Sequence, residues 1–392
     1  MSQELCEMSL QQTQELLRLT DETLQNICSK RFTGEGLYAE AIQKVLGGRG
    51  KRGPSSIFIV FRDIDGSVRR GRVFHLRGGE LVEKSDEVSI DPTSRYAISL
   101  DMADVSASNW SDSCVGVEEY QAYFQPDLRE KVGGDIRNFA ACRISGDSPG
   151  FIIAFNYPGK ATFYDGDVLR GLAVVIGSLV TLSNELRETE KAFIYTIEAL
   201  ARACEAAEEQ TGMHIQRVNR YAGALAANMG LDGDFVDVIS YSAQMHDVGK
   251  IKIPVSILLK QGPLNREETD LMMMHPVYGE KILGDSPRLR IAREIALAHH
   301  ENWDGSGYPH GLAGEQIPLS GRIVKIADVY DALRSKRSYK DSLGHGEALK
   351  VFREGDDRIN PKAHFDPSLL ATFFQIEHIF EKIYESSELE NI

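Results

Sequence analysis

Histidines and aspartates gather in the second half of this 392-residue chain, and their types indicate metal chemistry. The densest stretch runs from His299 to Pro309 and reads His-His-Glu-Asn-Trp-Asp-Gly-Ser-Gly-Tyr-Pro. Adjacent imidazoles followed by a carboxylate are typical of sites that bind transition metals. The glycines before the Tyr-Pro pair indicate a backbone that bends close to a ligand.

Seven side chains in this half combine imidazoles with carboxylates, the mixed donor set that first-row transition metals prefer. They are His214, His246, Asp247, His275, His299, His300 and Asp328. The set contains no thiolate, which disfavours a structural zinc site, and it has too few oxygens for a calcium cage. Because these donors exceed the needs of one open metal site, we predict a binuclear centre in which Asp247 bridges the two ions.

The composition is that of an ordinary globular protein with several domains. Hydrophobic residues make up 42% of the chain and charged residues 26%. The net charge of -14 argues against a general role in binding nucleic acid polymers or membrane surfaces. The five scattered cysteines form no CxxC pair and are expected to be reduced thiols. The N-terminus lacks a signal pattern and the best apolar run, 172–182, is too short to span a bilayer, so we predict a cytoplasmic protein.

The first half of the chain changes between helix and strand patterns. Residues 1–46 repeat apolar positions at helical spacing. Apolar runs at 57–61 and 73–76 predict a hairpin, and further strands are predicted at 96–100, 138–144 and 151–155. An apolar helix then starts near Asp165 and continues as a coiled-coil-like seam, in which charged residues separate the leucines.

A small sheet flanked by helices resembles a GAF-type sensor domain, by layout alone and without signature residues. We therefore predict an N-terminal helical segment (1–46), a GAF-like α+β regulatory domain (47–183) with an unknown small ligand, a connecting helix (184–198) and an all-α catalytic domain (199–392). The alternative for the GAF-like domain is a scaffold or dimerisation module without a ligand. A parallel homodimer through the connecting helix would offer a mechanical route between the two domains.

Two motifs of the second half carry a further resemblance. The segment from His246 to Pro254 looks like the HD signature of HD-domain phosphohydrolases, and the segment from His299 to Pro318 looks like the GYP signature. Together with the Asp-Val-Tyr-Asp run that begins at Asp328, the pattern resembles the HD-GYP family over residues 198–374. The motifs follow in the family's order and spacing.

This resemblance implies an all-helical HD fold with two or three metal ions, often iron or manganese. It also implies phosphodiesterase activity on cyclic di-GMP, which yields linear pGpG and in some members GMP. Carried over by position, His214, His246, Asp247 and Asp328 match the ligands of one ion, and Asp247, His275, His299 and His300 match those of the other. Members with three ions carry a Glu where this chain has Gln210, and an amide is the poorer ligand. We therefore expect two ions.

The hypothesis for the reaction is in-line attack of a metal-bridging hydroxide on the phosphodiester. Lys250 is expected to neutralise a phosphate oxygen. Arg337 and Lys340 match family positions that contact the second phosphate. Tyr308 is expected to hydrogen-bond a phosphate or to stack near a guanine, and Glu301 to orient imidazole N–H groups.

Two other functions stay open. The same metal centre would serve a phosphohydrolase for another substrate, such as cyclic GMP-AMP or a mononucleotide, because the motifs do not contain the purine contacts. A catalytically weak cyclic di-GMP receptor or scaffold is the alternative outside the enzymes. The presence of every predicted ligand and of Tyr308 argues against this receptor.

Overall fold

The structure is a computed structural model that describes residues 39, 41–43, 45–46, 52–62, 69–77, 80–84, 86–90, 104–146, 149–205, 213–335 and 342–389. The chain divides into two compact units, Met1–Thr189 and Glu190–Ile392. Most of the helical segment predicted at 1–46, the strand predicted at 96–100, and the residues Gln210, Arg337 and Lys340 lie outside the described residues.

The first unit is built on a seven-stranded antiparallel sheet. Its strands are β1 (Ser56–Arg62), β2 (Arg69–Arg77), β3 (Glu80–Lys84), β4 (Val88–Ile90), β5 (Val105–Asn109), β6 (Asn138–Ile144) and β7 (Gly150–Phe155). They follow the order β3-β2-β1-β7-β6-β5, and β4 also pairs with β2. The predicted hairpin is present as β1 and β2, with Ile57 opposite Phe74.

Both faces of this sheet are buried, which explains why its central strands are continuous apolar runs. Ile57 and Ile59 face one core, which the sheet shares with the helix that closes the unit. Phe58, between them in sequence, faces a second core on the other side. Two short helices, α1 (Val117–Gln121) and α2 (Pro126–Val132), contribute side chains to this second core.

One long helix, α3 (Phe163–Glu205), contains both the closing helix and the connecting helix that the sequence predicted. It is the one helix of the described residues that is long and apolar enough to cross a membrane by length and composition, and half of its most apolar window is buried. The run 172–182 is therefore part of a longer apolar segment. Leu169, Leu172 and Ile176 of that segment pack in the core beneath the sheet, which accounts for its composition.

The described residues of the second unit form helices joined by loops, as the all-α prediction required, with a single isolated β-bridge between Asp304 and Ala313 in the Gly-rich segment. Its helices are α4 (Met213–Asn228), α5 (Gly233–Ser242), α6 (Val255–Leu258), α7 (Arg266–Met272), α8 (His275–Leu283), α9 (Arg290–Ala298), α10 (Leu319–Arg334), α11 (His345–Glu354), α12 (Pro361–His364), α13 (Pro367–Gln375) and α14 (Glu377–Leu389). The core centres on Tyr221 of α4 and Tyr330 of α10, whose buried rings meet edge to face at 5.3 Å. On α4, Val218, Tyr221, Ala222 and Leu225 form the apolar stripe that packs there.

Candidate metal centre

The second unit brings the seven predicted ligands into two neighbouring groups. The first group is His214, His246 and Asp328, and the second is Asp247, His275, His299 and His300. Within each group the ligand atoms all lie within 4.8 Å of one another. Asp247 also reaches the first group, because its Oδ2 lies 3.1 Å from Nε2 of His246. It therefore stands between the two groups, as a bridging ligand must.

Helix ends supply three of these ligands. His214 lies in the first turn of α4, His275 is the first residue of α8, and His299 follows the last residue of α9. Asp328 instead lies inside α10, which packs closely on the end of α9. A Cβ on Gly321 of α10 would lie 2.9 Å from Cβ of Ala298, so the glycine permits this approach.

The His246–Asp247 pair lies in a tight turn after α5. Asp247 has φ -101° and ψ 8° and precedes a short 3₁₀ helix, Val248–Lys252. This turn rests on the start of α8, where a Cβ on Gly249 would lie 1.9 Å from the carbonyl oxygen of His275. Only glycine fits such a contact. The close packing brings Oδ1 of Asp247 to 3.2 Å from Nε2 of His275.

Hydrogen bonds at Nδ1 determine which ring nitrogen of each buried histidine is free. Nδ1 binds a backbone carbonyl oxygen three or four residues earlier in three of them: Ala243 for His246 (2.9 Å), Met272 for His275 (2.8 Å) and Ile295 for His299 (3.1 Å). A carbonyl oxygen only accepts, so Nδ1 carries the proton. In the neutral ring Nε2 is then a bare lone pair, which is the form that binds a metal.

These Nε2 atoms point toward one another. The distance between the Nε2 atoms is 3.4 Å for His214 and His246 and 3.4 Å for His275 and His299. Two lone pairs repel at such a distance unless a proton or a cation lies between them. In addition, Oδ1 of Asp247 is buried without a hydrogen-bond donor among the described residues, an arrangement that costs about 1–3 kcal/mol. Both features fit a centre that holds two cations.

Burial and nearby carboxylates set the protonation of the rings. Burial lowers the pKa of His299 to about 4 and holds the pKa of His300 well below its usual value, so both rings are neutral at pH 7. Burial opposes protonation of His246 as well, but Asp247 and Asp328 outweigh it and raise the pKa of His246 to about 9. A metal ion must therefore displace a proton from His246 at neutral pH.

Lys250, predicted to bind phosphate, contacts the ligand set directly. Its Nζ lies 2.8 Å from Oδ2 of Asp247. Burial by itself would raise the pKa of Asp247, but Lys250 and His246 hold it well below the usual range. The carboxyl group is therefore ionised and ready to bind cations, and an ammonium group lies directly beside it.

The Gly-Tyr-Pro loop folds back over the second group of ligands. Tyr308 stacks on His300 with 4.6 Å between ring centroids and 21° between ring planes, and the peptide bond before Pro309 is cis. Gly307 permits this close return, because a Cβ there would lie 2.2 Å from the backbone nitrogen of Asn302. Burial raises the pKa of Tyr308. The phenol therefore keeps its proton and remains a hydrogen-bond donor beside the centre.

Glu301 has a different partner from the one that the sequence suggested. Its carboxylate is buried and accepts hydrogen bonds from the backbone N–H groups of His310 (2.8 Å) and Leu312 (3.0 Å). It therefore holds the Gly-Tyr-Pro loop in place and does not orient the imidazole of His299, whose Nδ1 binds a carbonyl oxygen. Nothing local in the motif distinguishes these two roles.

Asp331 was not predicted from the sequence as a site residue, but it contacts the predicted metal ligand His214. Its Oδ2 lies 2.8 Å from Nδ1 of His214, and Arg217 donates two hydrogen bonds to the same carboxylate. The available signal was the spacing, because Asp331 follows Asp328 by about one turn on the same helix face.

The structure also adds a lysine to the surroundings of the centre. Burial lowers the pKa of Lys325 to about 8, although Asp328 and Glu301 act in the opposite direction. Lys325 lies one turn before Asp328 on α10. Lys325 was not among the residues predicted from the sequence. The predicted phosphate contacts, Arg337 and Lys340, lie outside the described residues.

Comparison with known proteins identifies the class of the second unit. Residues 198–369 match the HD domain family, and this segment contains both groups of ligands. The unit is therefore an HD domain with two His/Asp clusters. The family match begins at residue 198, so the GAF-like character of the first unit stays a prediction.

Three curated relatives are cyclic dinucleotide phosphodiesterases by name. The chain is 41% identical over 247 residues to a cyclic di-GMP phosphodiesterase of Vibrio cholerae, covering 58% of this chain and 49% of the relative. It is 45% identical over 193 residues to the 3′3′-cGAMP-specific phosphodiesterase 2 of the same organism, covering 49% and 35%. It is 35% identical over 231 residues to a cyclic di-GMP phosphodiesterase of Thermotoga maritima, covering 58% and 61%. The chain thus spans about half the length of these relatives.

Proposed function

We propose that the protein is a metal-dependent phosphodiesterase that hydrolyses cyclic di-GMP to linear pGpG, with GMP as a further product. The observation that carries this proposal is the convergence of two pairs of histidine Nε2 atoms, 3.4 Å apart in each pair, with Asp247 between the two groups. Two neighbouring divalent ions, when bound, provide an activated water at neutral pH and neutralise phosphate oxygens. The names of the relatives in Vibrio cholerae and Thermotoga maritima support the substrate class.

The chain's own residues contribute binding, orientation and exclusion of water. The buried rings of His246, His275 and His299 form an environment with little water, where charge–charge interactions are stronger than in solvent. Lys250 neutralises an oxygen of the scissile phosphate. Tyr308 donates a hydrogen bond to the phosphate or to the leaving ribose oxygen.

For the second phosphate of a cyclic dinucleotide we propose Arg337 and Lys340 as contacts. Support comes from the basic run 334–340, which reads Arg-Ser-Lys-Arg-Ser-Tyr-Lys in a chain of net charge -14. An acidic protein needs such a local patch to hold a dianionic ligand. Replacing Arg337 by Ala is expected to raise KM for cyclic di-GMP more than it lowers kcat.

We infer that the two ions are iron or manganese, which suit imidazole and carboxylate donors without thiolate. Elemental analysis of protein prepared without oxygen tests this, with two ions per chain as the expected result. Three tightly bound ions would contradict the role assigned to Gln210. Zinc alone, at full activity, would contradict the choice of metals.

The direct test is turnover of cyclic di-GMP by protein loaded anaerobically with Fe²⁺ or Mn²⁺, with pGpG and GMP separated by chromatography. Formation of pGpG that depends on the metal is expected. Absence of product with either metal, in protein that retains two ions per chain, would rule out the phosphodiesterase. Tight binding of unhydrolysed cyclic di-GMP in that case would favour the receptor.

A second candidate substrate is 3′3′-cGAMP, because a relative named for that nucleotide is 45% identical over 193 residues. Both cyclic dinucleotides present two phosphodiesters, so the same centre serves either. Competition between equimolar cyclic di-GMP and 3′3′-cGAMP measures the ratio of the two kcat/KM values. A ratio in favour of 3′3′-cGAMP would replace the proposed substrate and leave the proposed chemistry intact.

For the first unit we propose a GAF-like regulatory domain in a cytoplasmic homodimer. The antiparallel sheet between helices supports the layout, and the exposed apolar residues Leu186, Tyr195 and Leu200 of α3 support a partner helix. Analytical ultracentrifugation of the full chain tests the dimer. Leu186→Glu is expected to give a monomer, and a monomeric wild-type protein at micromolar concentration would contradict the proposal.

A further inference from the structure

The histidines of the centre do not share one kind of hydrogen-bond partner. Nδ1 of His246, His275 and His299 binds an uncharged backbone carbonyl. Nδ1 of His214 instead lies 2.8 Å from Oδ2 of Asp331, a carboxylate. Of the four rings of the centre whose Nδ1 hydrogen bonds are described, His214 is thus the one with an anionic partner.

The carboxylate of Asp331 is fully buried and held at several points. Arg217 donates from Nε to Oδ1 at 2.6 Å and from Nη2 to Oδ2 at 2.9 Å. The hydroxyl of Ser335 lies 3.1 Å from Oδ2 and also accepts from Nη2 of Arg217 at 3.0 Å. Two parallel hydrogen bonds from a planar guanidinium fix the plane of a carboxylate. Asp331 therefore has one orientation, in which Oδ2 faces His214.

An anionic partner changes what an imidazole does as a ligand. A carboxylate at the remote ring nitrogen fixes the tautomer, directs the ring, and makes the other nitrogen a stronger donor. A backbone carbonyl also fixes tautomer and direction, but it carries no net charge. The first group therefore contains one ligand, His214, that is tuned differently from His275 and His299 of the second group.

We propose that Asp331, held by Arg217, is a positioning residue that controls occupancy of the first metal position alone. It aims Nε2 of His214 at that position and strengthens its donation. Loss of Asp331 then weakens the ion held by His214, His246 and Asp328, while the second position keeps its ion. This inference rests on the binuclear centre of the proposed function. If the Asp331–Arg217 ion pair were only structural, its loss would lower the stability of the fold without weakening one metal position more than the other.

Titration of the full chain with Mn²⁺ alone tests the role of Asp331, because it needs no turnover. Asp331→Asn keeps the size of the side chain and removes its charge. We expect one Mn²⁺ to bind as in the wild type and the other to bind about 10–100-fold more weakly. The electron paramagnetic resonance spectrum should change from that of two coupled ions to that of an isolated ion.

Asp366→Asn is the matched control, because Asp366 is also buried and is paired with Arg322 at 2.6 Å. It lies outside both groups of ligands. The control should bind two Mn²⁺ with wild-type affinities. If Asp331→Asn does not fold, Arg217→Lys replaces it, since lysine keeps the charge but loses the two-point contact. A smaller weakening at the same single position is then expected.

Unchanged binding of both ions by Asp331→Asn would overturn the inference, and so would equal weakening of both ions. Wild-type protein that binds fewer than two Mn²⁺ contradicts the binuclear centre and the proposed function with it. If the wild type binds two Mn²⁺ and Asp331→Asn binds both with the same affinities, only the role of Asp331 is contradicted. Measuring both proteins together therefore distinguishes failure of this inference from failure of the proposed function.

Discussion

Nε2 of His275 lies 3.4 Å from Nε2 of His299, and Nδ1 of each ring binds a backbone carbonyl. In neutral rings both facing nitrogens are bare lone pairs, so the pair is unfavourable without a cation between them. The pKa of His299, which burial lowers to about 4, keeps that ring from relieving the repulsion by protonation at neutral pH. A cation between the two nitrogens would remove this repulsion, so we expect bound metal to stabilise the arrangement.

Removing the metal should lower the stability of the second unit. An ion that binds the folded state at a free concentration 100 times its dissociation constant adds about 2.7 kcal/mol to the free energy of unfolding. Thermal unfolding with Mn²⁺ and with excess chelator measures this difference. An identical melting temperature under both conditions would show that the facing nitrogens hold no ion.

Asp247→Ala should remove metal and activity together. Asp247 contacts both groups of ligands, through His246 at 3.1 Å and His275 at 3.2 Å, so its loss affects both positions. Metal content and turnover of cyclic di-GMP are measured on one anaerobic preparation. Asp285→Ala is the control, because the Asp285 side chain is 99% exposed. Retention of metal and activity by Asp247→Ala would exclude Asp247 as the bridging ligand.

Metal affinity should fall as the pH is lowered below about 9. The pKa of His246 is raised to about 9 in the metal-free protein, so below that pH the ring carries a proton that the metal must displace. Above that pH the ring is already neutral and this dependence ends. Displacement of one proton changes the apparent dissociation constant by about tenfold per pH unit. Mn²⁺ titrations at constant ionic strength, from roughly pH 6.5 to about pH 9.5, measure how the apparent dissociation constant depends on pH. A dissociation constant that does not change over this range would contradict the prediction.

Glu301→Gln should loosen the Gly-Tyr-Pro loop. A carboxylate accepts from the N–H groups of both His310 and Leu312, whereas an amide turns one of its own donors toward them. The free energy of unfolding should fall by about 1–3 kcal/mol, and KM for cyclic di-GMP should rise because Tyr308 loses its support. Chemical denaturation and steady-state kinetics measure the two effects.

Glu294→Gln is the control for the loop, since Glu294 accepts from the hydroxyl of Ser320 at 3.0 Å and from Arg290 at 2.8 Å. These contacts do not involve the loop. An equal rise in KM for Glu294→Gln and Glu301→Gln would remove the specific role assigned to Glu301.

Gly249→Ala should disrupt the contact between the His246–Asp247 turn and α8. The added Cβ would lie 1.9 Å from the carbonyl oxygen of His275 and 2.5 Å from the nitrogen of Gly279, and neither backbone atom is free to move far. We expect a loss of about 1–3 kcal/mol in the free energy of unfolding together with loss of metal. Gly346→Ala in α11 meets no atom within 4 Å and should be neutral or stabilising. Equal behaviour of the two variants would contradict the steric argument.

The elements predicted from the sequence are those whose signal is local. The central strands β1 and β7 are nearly continuous apolar runs because both sheet faces are buried, and their neighbours β2 and β6 contain shorter apolar runs. Strand β5 reads Val-Ser-Ala-Ser-Asn and is only half-buried at the sheet edge, so it lacks such a run and went unpredicted. The closing helix was predicted to continue into the connecting segment, and both are part of the single helix α3.

By itself the sequence determined which side chains form the centre, because metal ligands need particular donor atoms and the HD and GYP motifs hold them at recognisable spacing. Only the tertiary structure decided how those donors are oriented. His214 meets Asp331 across 117 residues of sequence, and Glu301 turns to the backbone of His310. Spacing along one helix or loop describes neighbours on that element, whereas these contacts depend on where separate segments pack. Donor identity is therefore a property of the sequence, and donor direction is a property of the fold.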